Sequence, residues 1–477
     1  MKKLKLFLSA AVLAVCSAGA FGEVLSLEDY VDLIKKNNND LIAVQASIDA
    51  VKGKIIEIDR AYAYYFNLGG SYTDDKSGRP YSYPTLTTNE IKNISYDASI
   101  NKQFAIGTKV TLGLNGSLGS YDLITGTKYD VTDVAPFIRL EQSLLKELGG
   151  GATKANVLKA KADAKSALYL LEYKKQSVLL NAKLAYWNLS YARSVVDFRT
   201  TSLDRTQKIL DWNQKRYAKD LAEKSDLLQS QAAYKMRDLN LRLAKESEVQ
   251  ASRVFNGFLN SSSEKVLYDV EAFMKMGNNF EKGKVISKKG QRADLLAAFE
   301  DVESAKQAAV ASKKSIGQDL VLTGQFSLNG VDEKYEVAKD YVLKGEKPAF
   351  TVGLKYTLPL DFSARSSIKS GYESAKTSAQ KTAESAKIKE SNDWLQLVDN
   401  WNNSKARLAL LTEIQTIQHQ RNAEEQNLLK KGRSTTYYVL QSEQDLDDST
   451  LNVFQNILEL VSIYEQAEAF YNTNEIE

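Results

Sequence analysis

Cysteine and histidine occur once each in this chain, proline five times in 477 residues, and no stretch of 18 apolar residues occurs anywhere. Each scarcity excludes something. The lone cysteine, Cys16, cannot close a disulfide within the chain. The lone histidine, His419, cannot build a histidine-based zinc site, and no Ser-His-acid constellation can form without it. It sits on a glutamine-rich predicted helix and reads as a surface residue. The glycines of "GGGATK" (Gly149 to Lys154) lack the Gly-Lys-Ser/Thr spacing of a phosphate loop and read as a strand-to-helix turn. On these grounds no catalysis, cofactor or metal is expected. Without a long apolar run there is no helix able to cross a membrane, but a barrel strand needs only about ten residues of alternating polarity.

The chain also has little net charge. The formal +3 belongs to Lys2, Lys3 and Lys5, and without them 60 basic residues face 60 acidic ones. No basic field for nucleic acid remains. Those lysines open a secretory signal: Leu6 to Val15 is a short apolar core, and the small residues Ala18, Ala20 and Gly22 follow. The expected signal is 1–22, with a mature start at Glu23. Cys16 is either a lipid-attachment site or an ordinary signal residue, and the bulky Val15 before it argues against the first.

The prolines (Pro80, Pro84, Pro136, Pro348 and Pro359) all lie in or beside strand-like segments, so the rest of the chain is free to form long helices. Val157, Ala160, Ala164, Ala167 and Leu171 recur at three-four spacing, and Val178, Ala182, Ala185, Leu189, Ala192 and Val196 continue the stripe. Ile368, Tyr372, Ala375, Ala379, Thr382 and Ala386 form its counterpart. Small residues in such a stripe let a partner helix approach closely. Helices of about 65 residues are rods on the order of 100 Å long. Trp187, Trp212, Trp394 and Trp401 fall on them and read as packing residues. Tyrosines near the strands read as interfacial girdle residues. The run "DLDD" (Asp445 to Asp448) reads as a solvated face.

Period two appears in "NISYDASINKQFAIGTKVTLGLNGSLGSY" (Asn93 to Tyr121). Ile94 and Ile100 point one way with Val110, Leu112 and Leu114; Ser95, Asp97, Ser99, Thr111 and Asn115 point the other. Strands are expected at Tyr62 to Tyr72, Ile94 to Phe104, Lys109 to Leu118, Val134 to Leu144, Leu320 to Leu328 and Phe350 to Leu358. The links at Thr73 to Glu90, Gly119 to Asp133 and Asn329 to Ala349 read as long polar loops. The chain is also duplicated. "DLLQSQ" (Asp226 to Gln231) matches "YVLQSE" (Tyr438 to Glu443) about 212 residues on, and "FNLGGSY" near Gly70 matches "LVLTGQF" near Gly324 about 254 residues on. The widening of about 40 residues marks an added hairpin in the first half. The expected organisation is a first helix over 23–61, four strands within 62–146, a helical hairpin over 147–258 and a linker over 259–289. A helix over 290–319, two strands within 320–360, a second hairpin over 361–472 and a tail over 473–477 follow.

In this order the segments resemble the TolC-type outer-membrane efflux proteins across essentially the whole mature chain. The likeness rests on "LSLEDYVDLIKKNNNDLIAVQA" (Leu25 to Ala46), "LEQSLLKELGGGATKANVLKAKAD", "RYAKDLAEKSDLLQSQAAY" and "LLKKGRSTTYYVLQSEQDL". The resemblance implies a mixed fold: a long α-helical coiled-coil tunnel in the periplasm plus a transmembrane antiparallel β-barrel completed by trimerisation. It implies a homotrimer in outer-membrane lipid, working with a periplasmic adaptor and an inner-membrane pump as the passive exit duct of a tripartite efflux or type I secretion system. Six strands per protomer would make 18, against the family's usual twelve, with Ile94, Ile100, Val110, Leu112 and Leu114 facing lipid. The hairpin tips fall near 217–226 and 430–438. Lys219, Asp220, Leu221, Ala222, Lys431 and Gly432 correspond to the adaptor-docking tip. Asp226, Arg433, Ser434, Tyr438 and Gln441 correspond to the gate, where Asp226 either pairs with Arg433 or remains a solvated charge. Asp220 stands where the family has glycine, and Tyr438 and Gln441 stand where it often has aspartates. The alternative reading is a periplasmic structural or adaptor coiled coil with no pore, which needs no lipid-facing alternation.

Overall fold

The structure, a computed structural model, describes residues 24–78, 87–266, 268–275, 285–288 and 290–470. The expected signal with Cys16, the start at Glu23, Pro80, Pro84 and the 473–477 tail lie outside them. The chain divides into two units. One comprises 1–47, 170–293 and 387–477; the other comprises 48–169 and 294–386.

The second unit holds an antiparallel sheet. Among the described residues its path runs β2 (Tyr64–Asp75), β3 (Thr88–Gln103), β4 (Thr108–Leu123), β5 (Lys128–Ser143), β7 (Asp319–Leu328) and β9 (Pro348–Thr357), so strands from both halves of the chain share one sheet. A short strand, β8 (Gly330–Asp332), also pairs with β5. The strands β3, β4 and β5 each run 16 residues, longer than the alternation suggested. The expected long loop Gly119 to Asp133 is therefore mostly ladder, closed by a turn at 124–127. Pairing continues there because Tyr121 stands opposite Tyr129, their rings stacked at 5.7 Å. Gly107 makes the β3–β4 turn at φ 94, and a side chain there would strike the Glu147 carbonyl. The expected loop Asn329 to Ala349 contains β8 and a ten-residue helix, described below.

The first unit is helical. Its opening segment is not one helix: β1 (Val24–Leu25) pairs in parallel with β6 (Asp269–Val270), and α1 (Leu27–Asn37) and α2 (Asn39–Asp59) are broken at Asn38. Asn38 is buried; its amide donates to the Phe258 carbonyl at 2.9 Å, and its carbonyl oxygen accepts from the Leu41 amide at 3.0 Å. That side chain caps α2 and so accounts for the break. The long helices α3 (Gly151–Tyr217) and α4 (Lys224–Phe258) follow, then α5 (Ala293–Ser315) and α6 (Tyr335–Lys344), which from Asp294 on belong to the second unit, and α7 (Phe362–Lys430) and α8 (Thr436–Ala469); the parts of α2, α3 and α7 at 48–59, 151–169 and 362–386 also fall in the second unit.

The helical core centres on Tyr30, Tyr186, Trp187, Leu189, Phe255, Phe273, Ile457 and Leu460. Tyr30 stacks on Phe255 with centroids 4.3 Å apart and donates its hydroxyl to the Phe255 carbonyl at 3.0 Å. Tyr186 donates to the Leu25 carbonyl at 2.7 Å and accepts from the Glu271 amide at 2.9 Å. Burial pushes the Tyr186 phenol up to about 12 and the Tyr30 phenol upward as well. All four tryptophans pack in or against apolar clusters. On α3, Ala164, Ala182, Ala185, Leu189 and Ala192 are buried. The counterpart stripe on α7 is not covered by its own chain: Ile368, Tyr372, Ala375 and Thr382 are exposed.

Candidate functional site

The sheet sorts its residues by pairing register. Opposed residues across a ladder share a face, so one row can be followed through every strand. Phe66, Ile100, Leu112, Ile138, Phe326 and Phe350 form such a row across six strands. All six are 39–73% exposed in the single chain. The adjoining row on the opposite face is Tyr65, Asn101, Thr111, Arg139, Gln325 and Thr351. Val110 lies opposite Leu140, and Leu114 lies between Ala98 and Pro136, both on the apolar face. On the polar face Arg139 donates to Gln325 at 2.8 Å and lies 5.2 Å from the Phe137 ring. The sheet is open in the single chain, with β2 and β9 at its edges.

On β3 the apolar face is bounded by charge. Lys102 and Lys92 flank Ile100, Ala98, Tyr96 and Ile94. Ten residues at about 3.3 Å each, tilted as barrel strands are, stand about 25 Å tall, the height of a barrel's apolar band.

In the helical unit a second constellation surrounds two carboxylates on α8. Asp447 is 0% exposed and Glu443 nearly so. Arg205 of α3 donates from Nε to Glu443 at 2.9 Å and from Nη2 to Asp447 at 2.9 Å. Arg237 of α4 lies 3.3 Å from Asp447 and donates to Gln444 at 2.6 Å. Arg199 stands 3.7 Å from Asp447, and Ser202 donates its hydroxyl to it. Burial pushes the Asp447 carboxyl up, while Ser202, Arg237 and Arg205 pull it down. Burial likewise lowers the Arg199 guanidinium, with Asp447 opposing. The reading of Asp445 to Asp448 as a solvated face is thus corrected at Asp447, which faces into the bundle. Asp445 does sit at the surface, paired with Arg421 at 2.6 Å.

The full-length geometry matches solved structures. CusC, whose structures concern folding and transmembrane channel formation, aligns with a TM-score of 0.67 at 12% identity over 96% of this chain and 95% of its own. The outer membrane protein VceC of Vibrio cholerae aligns at 0.61, 14% identity and 93% of both chains. The outer membrane channel CmeC of Campylobacter jejuni aligns at 0.62 and 14% identity over 94% of this chain and 87% of its own. The chain has the TolC-type fold. At such identities the likeness is one of fold. No family model matches the sequence, and no curated protein matches it.

At the tips of this TolC-type fold, α3 and α4 are joined by 218–223 and α7 and α8 by 431–435. Asp220 takes the left-handed backbone, φ 57, which glycine adopts without strain; Gly432 has φ 69 at the second tip. Arg216 donates to the Leu221 carbonyl at 2.7 Å and stacks on Trp212 at 4.5 Å. Lys219, Asp220, Leu221, Lys431 and Gly432 are exposed and Ala222 is half-buried. Thr436 donates to Asn213 at 3.2 Å, a buried bond that ties the two tips together. Ser434 donates to Glu425 at 2.6 Å, and Gln441 donates to Asp445 at 2.9 Å. Tyr438 is exposed and edge-on to Tyr437. Among the described residues no ion pair within the chain joins the half-buried Asp226 to the exposed Arg433. The buried Asp447 cluster escaped sequence reasoning. Its available signal was spacing: Asp447, Phe454 and Val461 are seven apart on one helix face.

Proposed function

We propose that this chain is one protomer of a homotrimeric outer-membrane channel, the passive exit duct of a tripartite efflux pump or type I secretion system. The observation that carries this reading is the exposed apolar row Phe66, Ile100, Leu112, Ile138, Phe326 and Phe350, backed by a polar row on the other face. A wall with one apolar and one polar face separates lipid from water. Its unpaired edges at β2 and β9 cannot remain open in hydrocarbon, so closure has to come from further copies. Three six-stranded paths make an 18-stranded barrel. The exposed stripe Ile368, Tyr372, Ala375 and Thr382 gives the helices apolar surface for the same association.

In this reading the helices form a tunnel in the periplasm, and the tips at 218–223 and 431–435 face a periplasmic adaptor and an inner-membrane pump. The duct performs no chemistry, and transport energy comes from the pump. Detergent extraction of the outer membrane, the mass of the purified assembly and its conductance in planar bilayers test the proposal. A trimer that conducts supports it. Recovery as a soluble periplasmic protein without conductance replaces it with the adaptor-like coiled coil.

A further inference from the structure

The connection between β7 and β9 does not hang over the end of the sheet. After β8 the chain turns into α6 and packs back against the strands. Gly330 is the register partner of Val134, which continues the row Tyr96, Gly116, Val134 on the apolar face. A Cβ on Gly330 would strike the Ala338 carbonyl and meet Val342. Ala338 is 0% exposed, and Val134 is buried as well. The helix therefore lies on the same face as Ile100, Leu112 and Ile138, opposite to Arg139 and Asn115.

Its height on that face is marked by charge. Counting only the residues of that face, β5 is uncharged from Leu140 to Thr132 and meets charge at Asp130, and β7 and β8 are uncharged from Leu320 to Gly330 and meet charge at Asp332. So α6 sits on the upper rim of the apolar band. Away from the sheet it presents Glu336 and Lys339, paired at 3.4 Å, and Asp340 and Lys344, paired at 3.9 Å. Leu343, near its end, is 73% exposed. Gly345 in the left-handed conformation stops the helix, and Lys347 lies 3.6 Å from the Tyr341 ring.

We infer that α6 is an interfacial helix that seats in the headgroup layer of the outer leaflet and sets how deeply the sheet enters the membrane. This rests on the outer-membrane reading above. The occupant is a bilayer surface because α6 overlies β5 and β8, in the interior of the sheet, with β7 and β9 between it and one edge and β4, β3 and β2 between it and the other. A neighbouring copy closing the barrel through those edges does not reach it. Internally paired charges tolerate headgroups but not hydrocarbon, and Leu343 and Tyr335 supply the apolar contact expected of a helix lying in the interface.

The test is depth-dependent quenching. The full chain carrying Cys16→Ser receives, one at a time, Leu343→Cys, Leu112→Cys and Asn115→Cys. Each is labelled with a small fluorophore and reconstituted in phosphatidylcholine–phosphatidylglycerol vesicles carrying a nitroxide either on the headgroup or deep in the acyl chain. The label at 343 is expected to be quenched severalfold more by the headgroup nitroxide, the label at 112 more by the acyl nitroxide, and the label at 115 by neither. Acyl quenching at 112 with no quenching at 343 overturns the interfacial helix and leaves the barrel standing. So does a label at 343 quenched as deeply as the label at 112. No quenching at 112 or 343 overturns the barrel and the helix placement together.

Discussion

The Arg205 guanidinium of α3 donates to Asp447 of α8 at 2.9 Å although the two residues are 242 positions apart in the chain. That contact closes a cluster in which Arg199, Arg205 and Arg237 face Glu443 and Asp447. Removing one partner from a buried group of charges leaves the others desolvated and unpaired, at a cost of about 3–5 kcal/mol. Asp447→Ala should lower stability by that amount, whereas Asp445→Ala, at the surface with Arg421, should cost less than about 1 kcal/mol. Thermal or denaturant unfolding of the two purified variants measures the difference. Equal costs would mean that the cluster is solvated.

Alkaline pH probes the helical core. The Tyr186 phenol stands at about 12 in the folded chain against about 10 when unfolded, and Tyr30 is raised in the same direction. A raised phenol favours the neutral form in the folded state. Its contribution is fully present below about pH 10 and is lost as pH rises from there towards 12. Unfolding midpoints measured through this window should fall, and Tyr186→Phe should flatten the slope. It should also cost about 1 kcal/mol at neutral pH, through the lost bond to the Leu25 carbonyl.

Ile100 and Leu112 are opposed on the apolar face, and Ser99 and Asn115 lie on the polar one. In the proposed barrel, Leu112→Lys or Ile100→Lys should cost up to the roughly 2–4 kcal/mol of mid-membrane depth, with Asn115→Lys and Ser99→Lys nearly neutral. Urea unfolding in vesicles compares them. Equal tolerance at both pairs would reverse or abolish the assignment of faces.

Among the described residues no ion pair joins Asp226 to Arg433 within one chain, so in the proposed channel a bond between them is expected between copies. Asp226→Ala combined with Arg433→Ala should then raise conductance in planar bilayers and admit large antibiotics to cells. In the proposed channel, Lys431→Ala or Leu221→Ala, at exposed positions, should weaken coupling to the pump and leave conductance in bilayers unchanged. Unchanged conductance in the double variant would move the restraint to packing around Tyr438.

Much of this was legible in the sequence because it is encoded locally. Alternation at Ile94, Ile100, Val110, Leu112 and Leu114 specifies a face whatever the strand pairs with. The lack of proline from Phe137 to Lys347 permits long helices. Other features depend on which distant elements meet. The strands β3 to β5 extend to 16 residues because partners such as Tyr121 and Tyr129 exist on both sides, which polarity alone does not reveal. Asp447 reads as a surface charge until arginines from α3 and α4 are brought to it, since a buried carboxylate is tolerated only with its counter-ions in place. Likewise, Tyr335–Lys344 mixes four charged residues with six apolar or aromatic ones, which fits a surface helix but does not say which surface it lies on. Its position on the apolar face was decided by Gly330, whose missing side chain lets a helix backbone lie against the sheet.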